Sequence, residues 1–166
     1  RRVLFRSYVS LRIEGKKPIG MGWDAKAPIT HFCGGSIIGS RFILTAAHCC
    51  YNKYMMDTTD GSESLRNKIK LFDSLGKPLL NANVVGYKMH DSWRPEHKNF
   101  DFCLVLTKEF EYSDTVKPIG LMNEGESLPA LGTQLFVAGQ GRTETSFRSK
   151  YLQEASVLLE PYKTCN

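Results

Sequence analysis

The sequence predicts an all-β protein, and three observations predict it. Short apolar runs of strand length recur along the chain, helical periodicity is hard to find between them, and turn residues close each run. Many short strands punctuated in this way indicate a barrel or a sandwich. The 166 residues are 42% hydrophobic and 23% charged, a balance that supports a packed core. At about 150 residues per domain, the length matches one ordinary domain.

Tyr8-Val9-Ser10-Leu11-Arg12-Ile13 alternates in part and stops at Glu14-Gly15, so it reads as the first strand. His31 to Ile38 and Arg41 to Thr45 flank Gly39-Ser40, which reads as a hairpin connection. The stretch from Asn52 to Asn67 is polar and reads as a long surface loop. Ile69 to Phe72, Leu79 to Val85, Phe102 to Leu106 and Leu135 to Ala138 continue the series, and Tyr151 to Leu159 is the last strand. Gly76-Lys77-Pro78, Lys117-Pro118, Pro129 and Gly139-Gln140-Gly141 separate them, because proline removes a ladder donor and glycine accepts turn conformations. There is no internal repeat of fixed period and no low-complexity tract. Hydrophobic density falls from Thr107 to Leu121, around Pro118, where a link between two β units fits.

The formal net charge is +5. Its tightest basic groups, Arg1-Arg2, Lys16-Lys17 and Arg66-Asn67-Lys68, are scattered, whereas a nucleic-acid binder concentrates its cations on one element. The surplus reads as solvated surface, and no nucleic-acid partner is expected. The densest apolar run, Phe42 to Ala47, is far shorter than the roughly 18 residues of a membrane span, so no membrane partner is expected either. The chain starts with Arg1-Arg2 rather than Met, which reads as a processed or incomplete N-terminus. Val3-Leu4-Phe5 is too short for the apolar region of a signal peptide. Five cysteines leave at least one without a partner inside the chain.

The most informative segment is His31-Phe32-Cys33-Gly34-Gly35-Ser36-Ile37-Ile38, followed by Arg41-Phe42-Ile43-Leu44-Thr45-Ala46-Ala47-His48-Cys49. His48 follows an apolar strand and two small residues, so the backbone can pack tightly and hold an imidazole at a strand end. Taken alone, such a histidine fits a satisfied structural role as well as proton transfer. The whole string closely resembles the trypsin/chymotrypsin family of serine proteases, whose general-base histidine lies in T-A-A-H-C after C-G-G-S. The resemblance implies a double Greek-key β-barrel, with the first barrel complete over about 8–106, a linker at about 107–121 and the second barrel only begun over about 122–166. It makes His48 the general base and pairs Cys33 with Cys49 beside it. A bridge closing that loop stabilises by about 3 kcal/mol in the chain-entropy model.

Asn99-Phe100-Asp101-Phe102-Cys103-Leu104-Val105-Leu106 puts one carboxylate at the mouth of an apolar strand. On its own Asp101 reads either as an exposed turn residue or as a buried acid that needs a partner. The resemblance matches it to the family's buried acid in D-x-x-L, which accepts the Nδ1 proton of the general base and fixes its tautomer. Ala138-Gly139-Gln140-Gly141-Arg142-Thr143 is similar to the family's G-W-G-R-T turn, with Gln140 departing from the usual tryptophan. Tyr151-Leu152-Gln153-Glu154-Ala155 through Cys165 resembles the L-Q-x-A strand and the cysteine after it. The likeness runs from Tyr8 to Cys165, specific around His48 and Asp101 and loose between Asn52 and Val84.

The family nucleophile, a serine in G-D-S-G-G, has no match in the chain. Asp60-Gly61-Ser62-Glu63 falls between His48 and Asp101 and lacks the glycines that let backbone N–H groups approach an oxyanion. The family's I-V-G-G start is also unmatched. The resemblance therefore implies the N-terminal portion of a longer protease, inactive by itself. If His48 and Asp101 touch, their neighbours Cys50 and Cys103 are also close, and a second bridge between them is expected. The alternative for Cys103 is a small buried thiol. Cys165 then takes its partner from beyond Asn166. A zinc site from Cys33, His48, Cys49 and Cys50 lacks paired ligand spacing, His90 and His97 read as loop decoration, and the loop after Asn52 has no calcium-ligand pattern. No metal or cofactor is expected.

Two functions of different kind fit. One is a secreted trypsin-like endopeptidase acting on proteins or peptides, open to protein inhibitors and monomeric. The other is a non-catalytic protease homologue that uses the fold to bind proteins. Secretion follows from the paired cysteines and the resemblance.

Overall fold

The computed structural model describes residues 5–14, 29–51, 69–97, 99–144, 149 and 151–161. The loop from Asn52 to Asn67, the Asp60-Gly61-Ser62 triplet and Cys165 lie outside them. Chain contacts divide the protein into two compact units, Arg1–Ile119 and Gly120–Asn166.

The first unit holds β1 (Tyr8–Glu14), β2 (Ile29–Gly39), β3 (Phe42–Thr45), the short helix α1 (Ala47–Tyr51), β4 (Ile69–Phe72), β5 (Val84–Met89) and β6 (Cys103–Thr107). All pairings are antiparallel, in the order β4-β1-β2-β3-β6-β5. Three consecutive strands with the fourth returning beside the first make a Greek key. The all-β expectation is borne out: one curled antiparallel sheet dominates this unit, and α1 is the only helix among the described residues.

Alternation decides which side of the sheet is the core. Ile43 and Thr45 on β3, Ile69 and Leu71 on β4, and Cys103, Val105 and Thr107 on β6 are buried, each separated from the next by a more exposed residue. β1 lies between β2 and β4 and is buried on both faces from Tyr8 to Leu11. Val9, Leu11, Ile37, Ile43 and Val105 are fully inaccessible and form the centre of the core, with Trp93, Phe110 and Val116 packed around them.

Three register shifts adjust the sheet: at Leu11/Arg12 between β1 and β2, at Ile37/Gly39 between β2 and β3, and at Val84/Gly86 between β5 and β6. The last accompanies a departure from the sequence reading, which opens this strand at Leu79. The strand begins at Val84 and continues to Met89, through Gly86. Asn81 has φ 63 and the Asn83 N–H donates to its carbonyl at 2.8 Å, so Leu79–Asn83 turns instead of extending. Leu80, apolar but 77% exposed, is the residue that misleads the pattern.

Gly35 is required where β1, β2 and β3 pack together. A Cβ there would lie 2.8 Å from Ile43 Cγ2 and 3.1 Å from the Leu44 carbonyl. Gly35→Ala is therefore expected to destabilise by about 1–3 kcal/mol, read as a lowered urea midpoint at unchanged slope. Gly86→Ala, whose Cβ would meet nothing within 4 Å, serves as the neutral comparison.

The second unit contains β7 (Gln134–Gly139) and β8 (Gln153–Leu158), paired antiparallel from Gln134↔Leu158 to Gly139↔Gln153. Phe136 and Val137 on β7 and Val157 and Leu158 on β8 are all exposed, so both faces of this ribbon carry accessible apolar side chains.

Candidate active site

The site is assembled where β3 ends. Thr45 is buried and its hydroxyl donates to the Gly34 carbonyl at 2.7 Å, tying the strand end to β2. Ala47 is fully inaccessible; a larger side chain has no room there. The chain then winds through α1, whose second residue is His48. Its next two residues are anchored in different directions. Cys49 is bonded to Cys33 of β2, and Cys50 is bonded to Cys103 at the start of β6.

β6 brings the carboxylate. Thr45 of β3 pairs with Cys103 of β6, so the residues just before Cys103 lie beside α1. Asp101 Oδ2 lies 2.7 Å from His48 Nδ1, and Oδ1 accepts the His48 backbone N–H at 2.8 Å. The Ala47 amide also bonds to this carboxylate. Desolvation pushes the Asp101 pKa up, but the bonds from the His48 ring and amide, the charge of His48 and the Ala47 amide outweigh it. The net result is a pKa below the usual carboxylate value.

A carboxyl group with a lowered pKa in the folded state stabilises the fold above its unfolded pKa of about 3.9, and loses that contribution as pH falls through the lower folded value. The stability difference between the parent sequence and Asp101→Asn is therefore expected to shrink as the buffer goes from about pH 5 to about pH 2. Urea titrations at several pH values check this; a difference that stays constant would refute it.

The His48 side chain is 66% exposed and that of Asp101 31%. The acid is thus only partly sequestered, where the resemblance implies a buried one. Nδ1 is committed to the carboxylate, and Nε2 has no hydrogen-bond partner among the described residues. With its proton on Nδ1, the ring presents a basic lone pair at Nε2, the arrangement needed to take a proton from a hydroxyl.

Three other groupings among the described residues of this unit do not offer the same chemistry. The His48 ring and the sulfurs of Cys33 and Cys49 come within 4.8 Å, but those sulfurs are joined to each other and leave no thiolate for a metal. Ser10 Oγ lies 2.7 Å from His31 Nδ1 and accepts from Arg12 Nε at 2.9 Å, yet Ser10 is completely inaccessible to a substrate. His97 sits in a turn, its N–H on the Arg94 carbonyl. His90, read from sequence as loop decoration, instead packs against Phe100 and Phe102 on either side of Asp101. No spacing in the sequence signals this; only the pairing of Met89 with Cys103 brings these residues together.

The family model for trypsin matches residues 8–166, and the chain belongs to the trypsin family. It is 32% identical over 138 residues to serine protease Hayan of Drosophila melanogaster, covering 81% of this chain and 21% of that protein. It is 30% identical over 138 residues to chymotrypsin-C of Bos taurus, covering 82% and 49% respectively. With trypsin Blo t 3 of Blomia tropicalis the identity is 29% over 141 residues, covering 82% and 50%. The chain thus spans half or less of the length of these curated relatives.

Proposed function

We propose that the protein to which this chain belongs is a secreted serine endopeptidase in which His48 is the general base and Asp101 the acid that orients it. The observation that carries the reading is the 2.7 Å contact between His48 Nδ1 and Asp101 Oδ2. It leaves Nε2 with no hydrogen-bond partner among the described residues. In the proposed reaction, Nε2 takes the hydroxyl proton of a serine beyond Asn166 as its oxygen attacks a peptide carbonyl. The same proton then passes to the departing amine, and Asp101 stabilises the imidazolium between the two transfers. A water repeats the cycle to release the acyl group.

The proposal divides the labour between two barrels. Residues of about 8–106 supply the barrel that carries His48 and Asp101, about 107–121 the link, and about 122–166 the start of the barrel that supplies the serine. The 166 residues alone are proposed to be inactive, since they contain no G-D-S-G-G segment. Substrates are proteins or peptides, inhibitors are proteins, and the working form is a monomer without cofactor.

The test is labelling of the intact natural protein, after activation, with a serine-directed fluorophosphonate. A covalent adduct that disappears in His48→Ala is expected. No adduct, or a glycine in place of the serine, would overturn the enzyme in favour of a protein-binding homologue.

A further inference from the structure

Phe100 stands one residue before Asp101 and has φ 57, in the left-handed region that a bulky aromatic residue rarely enters. Its carbonyl accepts the Phe102 N–H at 2.8 Å, closing a three-residue turn with Asp101 at the centre. The direction in which the carboxylate leaves the backbone is therefore set by this turn. Phe100 and Phe102 are each about half exposed, so burial in the core does not hold them.

His90 holds them. Its ring stacks on Phe100 with centroids 4.7 Å apart and planes 9° apart, and meets Phe102 edge-on at 4.8 Å and 69°. Its amide donates to the Phe102 carbonyl at 3.1 Å. Its Nδ1 accepts the Ser92 N–H at 3.1 Å, which fixes the rotation of the ring. One side chain thus grips both neighbours of Asp101 and is itself anchored from two directions.

We propose that His90 is a positioning residue, clamping Phe100 in the left-handed turn that presents the Asp101 carboxylate to His48. The role rests on His48 and Asp101 being the catalytic pair, but its test does not. The reporter is the His48 Nδ1 proton in its bond to Asp101, followed by proton NMR in the intact protein, a readout that requires no turnover. In His90→Ala the left-handed turn loses its support, and exchange of that proton with water is expected to quicken roughly tenfold. Glycine adopts this conformation freely. The double variant His90→Ala/Phe100→Gly is therefore expected to return exchange to within about twofold of the parent.

An unchanged rate in His90→Ala, or no recovery in the double variant, would overturn the clamp. Should His90→Ala alone fail to fold, the double variant is compared with Phe100→Gly. Equal rates support the clamp, and loss of the proton only in the double variant overturns it. Absence of a fluorophosphonate adduct in the intact protein, with these exchange effects present, would sink the protease reading and leave the clamp standing.

Discussion

Asp101→Asn is expected to lower kcat of the intact protein by about four orders of magnitude with little change in KM. That size is the one the trypsin-type triad itself supplies for the equivalent exchange; the geometry of this chain says why it applies. Both carboxylate oxygens are in use, Oδ2 toward the ring and Oδ1 toward the His48 backbone N–H, with the Ala47 amide as a further donor. Asparagine has only one acceptor oxygen. The backbone donors are fixed by α1 and claim that oxygen, which turns the amide NH2 toward Nδ1. Nδ1 must then accept, its proton moves to Nε2, and the lone pair that receives the serine proton is gone. Steady-state kinetics on purified enzyme check the prediction, with loss of the downfield Nδ1 proton signal as an independent sign of the tautomer change. A fall smaller than about tenfold would mean that Asp101 does not set the tautomer.

What was legible in the sequence and what was not divides along physical lines. Strands that end at residues with one clear conformational preference are read well: Ile69–Phe72 has the same bounds by both routes, and the break after Gly39 is where the chain reverses. The strand placed from Leu79 fails because apolar density stands in for extension there, and a left-handed Asn81 with an exposed Leu80 breaks that equivalence. α1 escapes notice because five residues are too few to show a helical period. At the site, His48 and Asp101 are legible as a motif, since each lies in a short, specific string. Phe100 and His90 are not, because a backbone angle and a cross-strand stack leave no local pattern. The part of the site that sequence conveys is its chemistry; the part it hides is the support that aims the chemistry.

Removal of the Cys50–Cys103 bridge is expected to be the largest stability change among the variants considered. The bridge spans 53 positions, against 16 for Cys33–Cys49. On chain entropy alone those loops correspond to about 4 and about 3 kcal/mol. Total stabilities of domains are about 5–15 kcal/mol, so losing the longer bridge removes a large share. Cys50 and Cys103 are both essentially inaccessible, and alanine at both positions introduces no polar atom into the core. At about 2–4 °C per kcal/mol for a chain of this size, Cys50→Ala/Cys103→Ala is expected to lower Tm by about 8–16 °C, and Cys33→Ala/Cys49→Ala by somewhat less. The longer bridge also joins α1, which carries His48, to the strand that follows Asp101. Its loss should therefore also quicken exchange of the His48 Nδ1 proton. Calorimetry of the two paired variants, with mass spectrometry confirming that the remaining bridge is intact, decides the matter. A drop below about 3 °C for the Cys50/Cys103 pair would show that packing of β3 on β6, rather than the covalent link, holds the two halves of the site together.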